Sequence, residues 1–350
     1  MRELSLMHCS FFAAGWGAVT LVAVGCGGNE FFAGTGDAGV ASTVTADQAC
    51  GDSAHLHCER LQACSQSVVI GTYGDEGTCE TRLKLNCLNS LAAPGVNSTP
   101  ATVEACAKTY PTASCGALLD DQPAAACVQN KGDRANGQAC GFPAQCQSGF
   151  CAIVPGSPCG ACAPVPQVGE SCAESTTCGQ LLFCDSTTLD CTGYSALNGP
   201  CNRGQPCGAG LSCVGSTSAT NGACQTAVET LGAPCDPATK TGPGCDRNQL
   251  LTCNSGSKEC AAIQLAGAGA PCGTVNLQLA ICANAGACVA ADGGAGDGGT
   301  TIDTCVAPAA DGDPCDLVAG PTCLSPARCV LTTPSATAGV CEFPSSSQCH

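Results

Sequence analysis

The sequence predicts a small disulfide-rich fold: an N-terminal disulfide-stapled helical bundle followed by an extended array of short, hairpin-like, cysteine-rich blocks. Three observations predict it. Cysteine supplies 36 of the 350 residues, whereas Leu, Ile, Val and Phe together supply 59, about 17%, too few for an ordinary core of this length. The five Ile and 21 Val are scattered among Cys and Gly, so the chain lacks the Val/Ile-rich runs of buried parallel strands, which excludes a (β/α)8 barrel or a doubly wound sheet. Finally, the cysteine spacing is helical up to about residue 130 and repetitive beyond it.

Residues 1–25 read as a signal peptide, with Arg2 in a short basic start and an apolar stretch from Phe11 to Val24 that is too short to span a bilayer comfortably. Ala23-Val24-Gly25-Cys26 resembles a bacterial lipobox and marks Cys26 for lipidation; ordinary cleavage after Gly25 is the alternative. Parity favours the lipid: removing residues 1–25 discards Cys9 and leaves 35 cysteines, and modifying Cys26 leaves 34, all of which can pair. Residues 26–47, rich in Gly, Thr and Ala, read as a lipid-anchored flexible tether. So many cysteines require an oxidising compartment.

Residues 48–130 form the expected helical eight-cysteine domain. Cys50, Ala54, Cys58, Leu61 and Cys64 fall near helical spacing. Asp75 is placed to cap a second helix carrying Cys79, Leu83, Cys87 and Leu91, which Pro94-Gly95 ends. Thr99 before Pro100 opens a third, with Val103, Cys106 and Ala107 inward, and a short helical turn carries Cys115, Leu118 and Leu119. Four disulfides would use all eight cysteines from Cys50 to Cys127. Zinc–thiolate clusters are the alternative, and export argues against them.

Residues 131–350 repeat in about six blocks. Each opens on a small turn and a cysteine: Gly-Gln-Ala-Cys140, Gly-Glu-Ser-Cys172, Gly-Pro-Cys201, Gly-Ala-Pro-Cys235, Gly-Ala-Pro-Cys272 and Gly-Asp-Pro-Cys315. Second and third cysteines follow closely, as in Cys172, Cys178, Cys184 and Cys201, Cys207, Cys213, and a fourth comes after a variable loop, at Cys191, Cys224, Cys260, Cys305 and Cys341. The first block carries an extra cysteine (Cys140, Cys146, Cys151, Cys159, Cys162), which Cys349 is available to close; the connectivity stays open, because four cysteines already allow three pairings.

The run Cys140-x5-Cys146-x4-Cys151-x7-Cys159-x2-Cys162-x9-Cys172-x5-Cys178-x5-Cys184 resembles the N-terminal cysteine-rich domain of the Dickkopf family, over residues 140–191. The resemblance implies an extracellular disulfide module. The family's adjacent Cys-Cys is absent, Cys178 being followed by Gly179. The whole layout, a helical eight-cysteine region before a Gly-Gln-Ala-Cys block, resembles a cysteine-rich lipoprotein group of myxobacteria, which implies export and a lipid anchor but no particular chemistry.

Catalytic and metal-binding candidates are few. Cys159-Gly160-Ala161-Cys162 has redox-pair spacing, but Pro155, Pro158, Pro164 and Pro166 flank it where a thioredoxin-type motif needs a strand and a helix, so a structural disulfide is expected. His55 and His57, two apart on a helix, point to different faces. Residues 292–299 are Gly/Asp-rich but lack the repeated register of a calcium β-roll, and Asn97-Ser98-Thr99 is a formal glycosylation sequon. A net charge of −16 without a Lys/Arg cluster argues against nucleic acid. The expectation is a non-enzymatic cell-surface or secreted lipoprotein with a structural, adhesive or protein-binding role, without cofactor, metal or catalytic residues. It would sit at the outer membrane or cell surface, or outside the cell, touching the membrane through its lipid anchor only and meeting another protein or an envelope component. The alternative is a secreted protease-inhibitor-like or toxin-like disulfide module.

Overall fold

The computed structural model describes residues 44–350, apart from residues 121, 129, 174–176, 186, 203, 218–219, 276–277, 291–302, 334 and 350. Cys9, Cys26, the expected signal peptide and most of the expected tether lie outside the described residues. Residues 43–350 form one unit.

Side-chain caps set the helix boundaries. Helix α1 (Ala46–Cys64) starts where Thr45 accepts the Gln48 N–H, and it buries Ala49, Cys50, Ala54, Cys58, Leu61 and Cys64. It stops at Ser65, whose hydroxyl caps α2 (Gln66–Thr72) through the Val68 N–H. Asp75 caps α3 (Glu76–Ala92) through the Thr78 N–H at 2.7 Å. Thr99 and Thr102 cap α4 (Pro100–Ala107) reciprocally, with Pro100 in the first turn, where no amide is needed. Ser114 caps α5 (Cys115–Leu119). On α3 only Cys79 is buried, while Leu83, Cys87 and Leu91 are half-buried.

All eight cysteines of this region pair among themselves. Cys50–Cys87 and Cys58–Cys79 tie α1 to α3, Cys64–Cys115 ties α1 to α5, and Cys106–Cys127 ties α4 to the segment that leaves the helices. No helix among the described residues is long and apolar enough to cross a membrane.

Every later block follows one rule: the first cysteine pairs with the third and the second with the last, the extra Cys159 of the first block standing outside it. The pairs are Cys140–Cys151 and Cys146–Cys162, Cys172–Cys184 and Cys178–Cys191, Cys201–Cys213 and Cys207–Cys224, Cys235–Cys253 and Cys245–Cys260, Cys272–Cys288 and Cys282–Cys305, Cys315–Cys329 and Cys323–Cys341. In the first block β1 (Ala139–Cys140) and β2 (Cys151–Ala152) flank β3 (Gly160–Cys162), both antiparallel to it. The third and sixth blocks repeat that three-stranded sheet, and the second and fourth are two-stranded hairpins. The fifth block joins Gln264–Ala266 in parallel to Gln278–Cys282 and carries a separate hairpin, Ala287–Val289 with Thr304–Val306.

The opening turn of each block has a backbone reason. The residue three before the first cysteine takes a left-handed φ in all six: Gly137, Gly169, Asn198, Gly232, Gly269 and Gly312, from 64° to 89°. The next residue's N–H returns to the carbonyl three positions earlier, as from Gln138 to Ala135 and from Ala233 to Thr230, which makes a type II turn with the left-handed residue third. Glycine adopts that conformation freely, and asparagine tolerates it better than most residues. The N–H of the turn residue then reaches the carbonyl of the last cysteine of its block, at 2.7 Å for Gly137 to Cys162 and 2.8 Å for Asn198 to Cys224. Turn and disulfides therefore enforce one register.

The centres of the blocks are mostly sulfur. Cys140, Cys146, Cys151 and Cys162 form the first core with Ile153 beside them, and the sixth core is Ala309, Cys315, Cys329 and Cys341 with Leu331. The expectation of an extended array is corrected. The blocks fold back on the helical region and the sixth returns to the first, where Cys159–Cys349 joins them across 190 residues of sequence. The reason is that the helices present polar docking groups to the blocks, which the repeat spacing alone does not reveal.

Candidate functional site

Two sets of residues bring distant parts of the chain together: the docking groups between helices and blocks, and the seam between the first and sixth blocks. Arg82 on α3 grips the sixth block. Its guanidinium donates to both Asp311 carboxylate oxygens at 2.6 and 2.9 Å, to the Leu324 carbonyl at 2.7 Å and to the Ser325 carbonyl at 3.0 Å, and it lies 4.6 Å over the Phe343 ring. Such bidentate pairing suits guanidinium and not ammonium. Asn89 donates to the Pro344 carbonyl nearby.

Other blocks dock through fewer groups. Asp120 accepts the Ala209 N–H of the third block, and burial pushes its carboxyl above the usual range. Ser65 and the Cys64 carbonyl meet Asn248 and Gln249 of the fourth block, and the Ile70 carbonyl accepts the Ala285 N–H of the fifth. Gln145, fully buried in the first block, accepts from the Gly141 and Phe142 amides and donates to the Pro94 carbonyl beside the helices.

At the seam, Cys159 pairs with Cys349, while Cys162 of the same Cys-x-x-Cys pairs with Cys146, so the motif does not form an internal disulfide. Arg328 of the sixth block donates to the Pro158 carbonyl at 2.8 Å and the Gly141 carbonyl at 3.0 Å, and Arg134 donates to the Cys349 and Ala139 carbonyls. Leu331 adds a backbone bond to Gly156.

The cysteine trios Cys140, Cys146, Cys151 and Cys172, Cys178, Cys184, with their counterparts Cys201, Cys207, Cys213, bring sulfurs within 4.8 Å. They do so because two disulfides stack in each block, and a disulfide sulfur is not the thiolate that zinc requires. The acidic stretch 292–299 lies outside the described residues. Asn97 of the sequon donates to the Lys131 carbonyl and the Asp133 carboxylate, both at 2.9 Å.

The two histidines separate as their spacing requires. His55 is exposed, with Nδ1 2.7 Å from Glu80 on α3, and that hydrogen bond, reinforced by the Glu80 charge, raises its pKa. His57 packs edge-on against Tyr110, with centroids 4.8 Å apart, and burial lowers its pKa. For His57 the unfolded chain takes up a proton near pH 6.5 that the folded chain resists. Its stability contribution is therefore complete above that pH and is lost as the pH falls toward the folded-state value. His55 acts oppositely and weakly, because it is exposed. His57→Phe should narrow the gap between the melting temperatures at pH 7 and pH 5; an unchanged gap would place the acid sensitivity elsewhere.

Sequence reasoning did not find the docking groups Arg82, Arg134, Arg328 and Gln145. For the three arginines the one available signal was scarcity, since Lys and Arg together number only 12. The class these features define is a protein of repeated two-disulfide blocks docked on a disulfide-stapled helical region. Comparison with protein-family models, curated proteins and solved structures finds no match for the chain.

Proposed function

We propose that this chain is a non-enzymatic, exported lipoprotein scaffold, anchored through Cys26, with α1–α5 as a small bundle at its base and a structural, adhesive or protein-binding role at the outer membrane or cell surface. The observation that carries the reading is the pairing of all 34 cysteines from Cys50 to Cys349 into 17 disulfides. That pattern is consistent with a secreted or surface protein, because a reducing cytosol would not maintain it. Rigid, crosslinked surfaces bind other proteins at a small entropic cost, which suits adhesion and scaffolding.

Two measurements test it. Mass spectrometry of the mature N-terminus should find Cys26 carrying lipid, and multiple acyl chains would anchor stably where a single chain would not. An unmodified Cys26 on protein free in the medium would overturn the anchor. The oxidised chain should also be retained by washed envelope fragments and leave a broad panel of proteases uninhibited. Stoichiometric inhibition of any protease would replace the scaffold reading with the inhibitor reading.

A further inference from the structure

We propose that Cys159–Cys349 is a thiol-exchange site, at which an external thiolate forms a mixed disulfide with Cys349 and unlocks the seam between the first and sixth blocks. Exchange needs an accessible sulfur, and most disulfides here hide at least one in a core. Among the described residues Cys106–Cys127, Cys159–Cys349 and Cys235–Cys253 alone contain no buried cysteine, while the exposed Cys288 is tied to buried Cys272 across only 16 residues inside the fifth block. Cys106–Cys127 and Cys235–Cys253 close short loops of 21 and 18 residues within one element group, so opening them frees nothing distant. Cys159–Cys349 is the covalent tie between different blocks.

Electrostatics selects the same bond. In a chain of net charge −16, two guanidinium groups converge at this seam. Arg328 holds the carbonyl of Pro158, the residue before Cys159, and Arg134 holds the carbonyl of Cys349 itself. Among the described residues neither forms an ion pair. Positive charge beside a cysteine favours its thiolate, and a better thiolate is a better leaving group. Cys349 also has a left-handed backbone, φ 66°, which a non-glycine residue adopts at a cost.

The chemistry balances with a thiol as the only co-reactant. The incoming thiolate attacks Cys349 Sγ, the Cys159–Cys349 bond breaks, and the electron pair leaves on Sγ of Cys159, the residue after the Pro158 whose carbonyl Arg328 holds. Net oxidation state is unchanged at this step. A second thiolate attacking the mixed disulfide releases Cys349 as thiolate and carries both external sulfurs away as a disulfide, completing a two-electron reduction. Cys159 remains fixed meanwhile, because Ser157 donates to its carbonyl at 2.6 Å and β3 begins at the next residue. The Arg328 and Leu331 contacts keep the blocks aligned, so exchange does not require unfolding.

The test treats the full oxidised chain with limiting glutathione at pH 7.5, blocks free thiols by alkylation, and maps peptides over time. Glutathione should appear on Cys349 and the alkyl group on Cys159 at least tenfold faster than any adduct elsewhere, with the helical circular dichroism unchanged. Arg328→Gln should slow this adduct severalfold; if that variant fails to fold, the wild-type map still decides. First adducts at Cys288, at Cys106–Cys127 or at Cys235–Cys253, or adducts everywhere at once with loss of helix, would overturn the proposal.

Discussion

Complete reduction of the oxidised protein should abolish its cooperative thermal transition and most of its helical circular dichroism. Ordering each residue costs about 1–2 kcal/mol of backbone entropy. The opposing term normally comes from large apolar side chains, and here the cores are built from Cys140, Cys146, Cys151 and Cys162 and from their counterparts, with Ile153 or Leu331 at the margin. Two disulfides per block, closing loops as short as 11 residues, restrict the unfolded chain instead, at roughly 2–4 kcal/mol each and less for the shortest loops. Once they are cut, the blocks keep only a few scattered large apolar side chains, such as Phe142, Phe150, Val214, Leu251 and Ile263. The α1 face keeps Leu61, Ala49 and Ala54, but Cys50, Cys58 and Cys64 provide the rest of it. Calorimetry before and after reduction in mild denaturant, with thiols blocked, measures the effect. A sharp transition surviving in the fully alkylated chain would mean that packing, not sulfur, holds the fold.

This dependence on local rules explains which features were legible. Asp75, Thr99 and Pro100 announced α3 and α4 because a cap is a local contact between residues three apart. The face of α1 was legible because Cys50, Ala54, Cys58 and Leu61 share one helical stripe. Helix α2 was not, because Val68, Val69 and Ile70 form a β-branched run with weak helix propensity, and the Ser65 cap overrides it. The turn before each block was visible as a recurrent small residue, and Asn198 standing in for glycine shows that the requirement is a left-handed φ, not a residue type.

Connectivity and docking were beyond local reading. Four cysteines at similar spacings do not distinguish among three pairings; the choice of first with third goes with the turn amide's bond to the carbonyl of the block's last cysteine. Arg82 and Asp311 are 229 residues apart, and no periodicity links them. An expectation built on spacing alone therefore extends the array, while the polar groups of α1–α3 fold it back.

Gln145→Leu should destabilise the oxidised protein by roughly 2–4 kcal/mol, since it strands two buried backbone amides, Gly141 and Phe142, at about 1–3 kcal/mol each and gives up the bond to the carbonyl of exposed Pro94, which water can replace. The side chain is fully buried; its Oε1 accepts from Gly141 at 2.8 Å and Phe142 at 3.1 Å, and its Nε2 donates to Pro94 at 3.0 Å. The backbone around it is tight as well, since a Cβ at Gly132 would come within 2.2 Å of the Gln145 backbone. Gln145→Glu separates the two roles of the amide. It keeps the acceptor for Gly141 and Phe142 but sets a second carboxylate oxygen against the Pro94 carbonyl, so the folded-state pKa of the new carboxyl must rise above the unfolded value of about 4.3. A raised pKa contributes stability below the unfolded value and loses it as the pH rises through the folded one. The deficit of this variant relative to wild type should therefore be large at pH 7 and shrink at pH 4, where the protonated acid can donate to Pro94. Denaturant melts of both proteins at the two pH values measure it. A Gln145→Leu loss below about 1 kcal/mol, or a Gln145→Glu deficit that does not change with pH, would show that Gln145 does not fasten the first block to the helices.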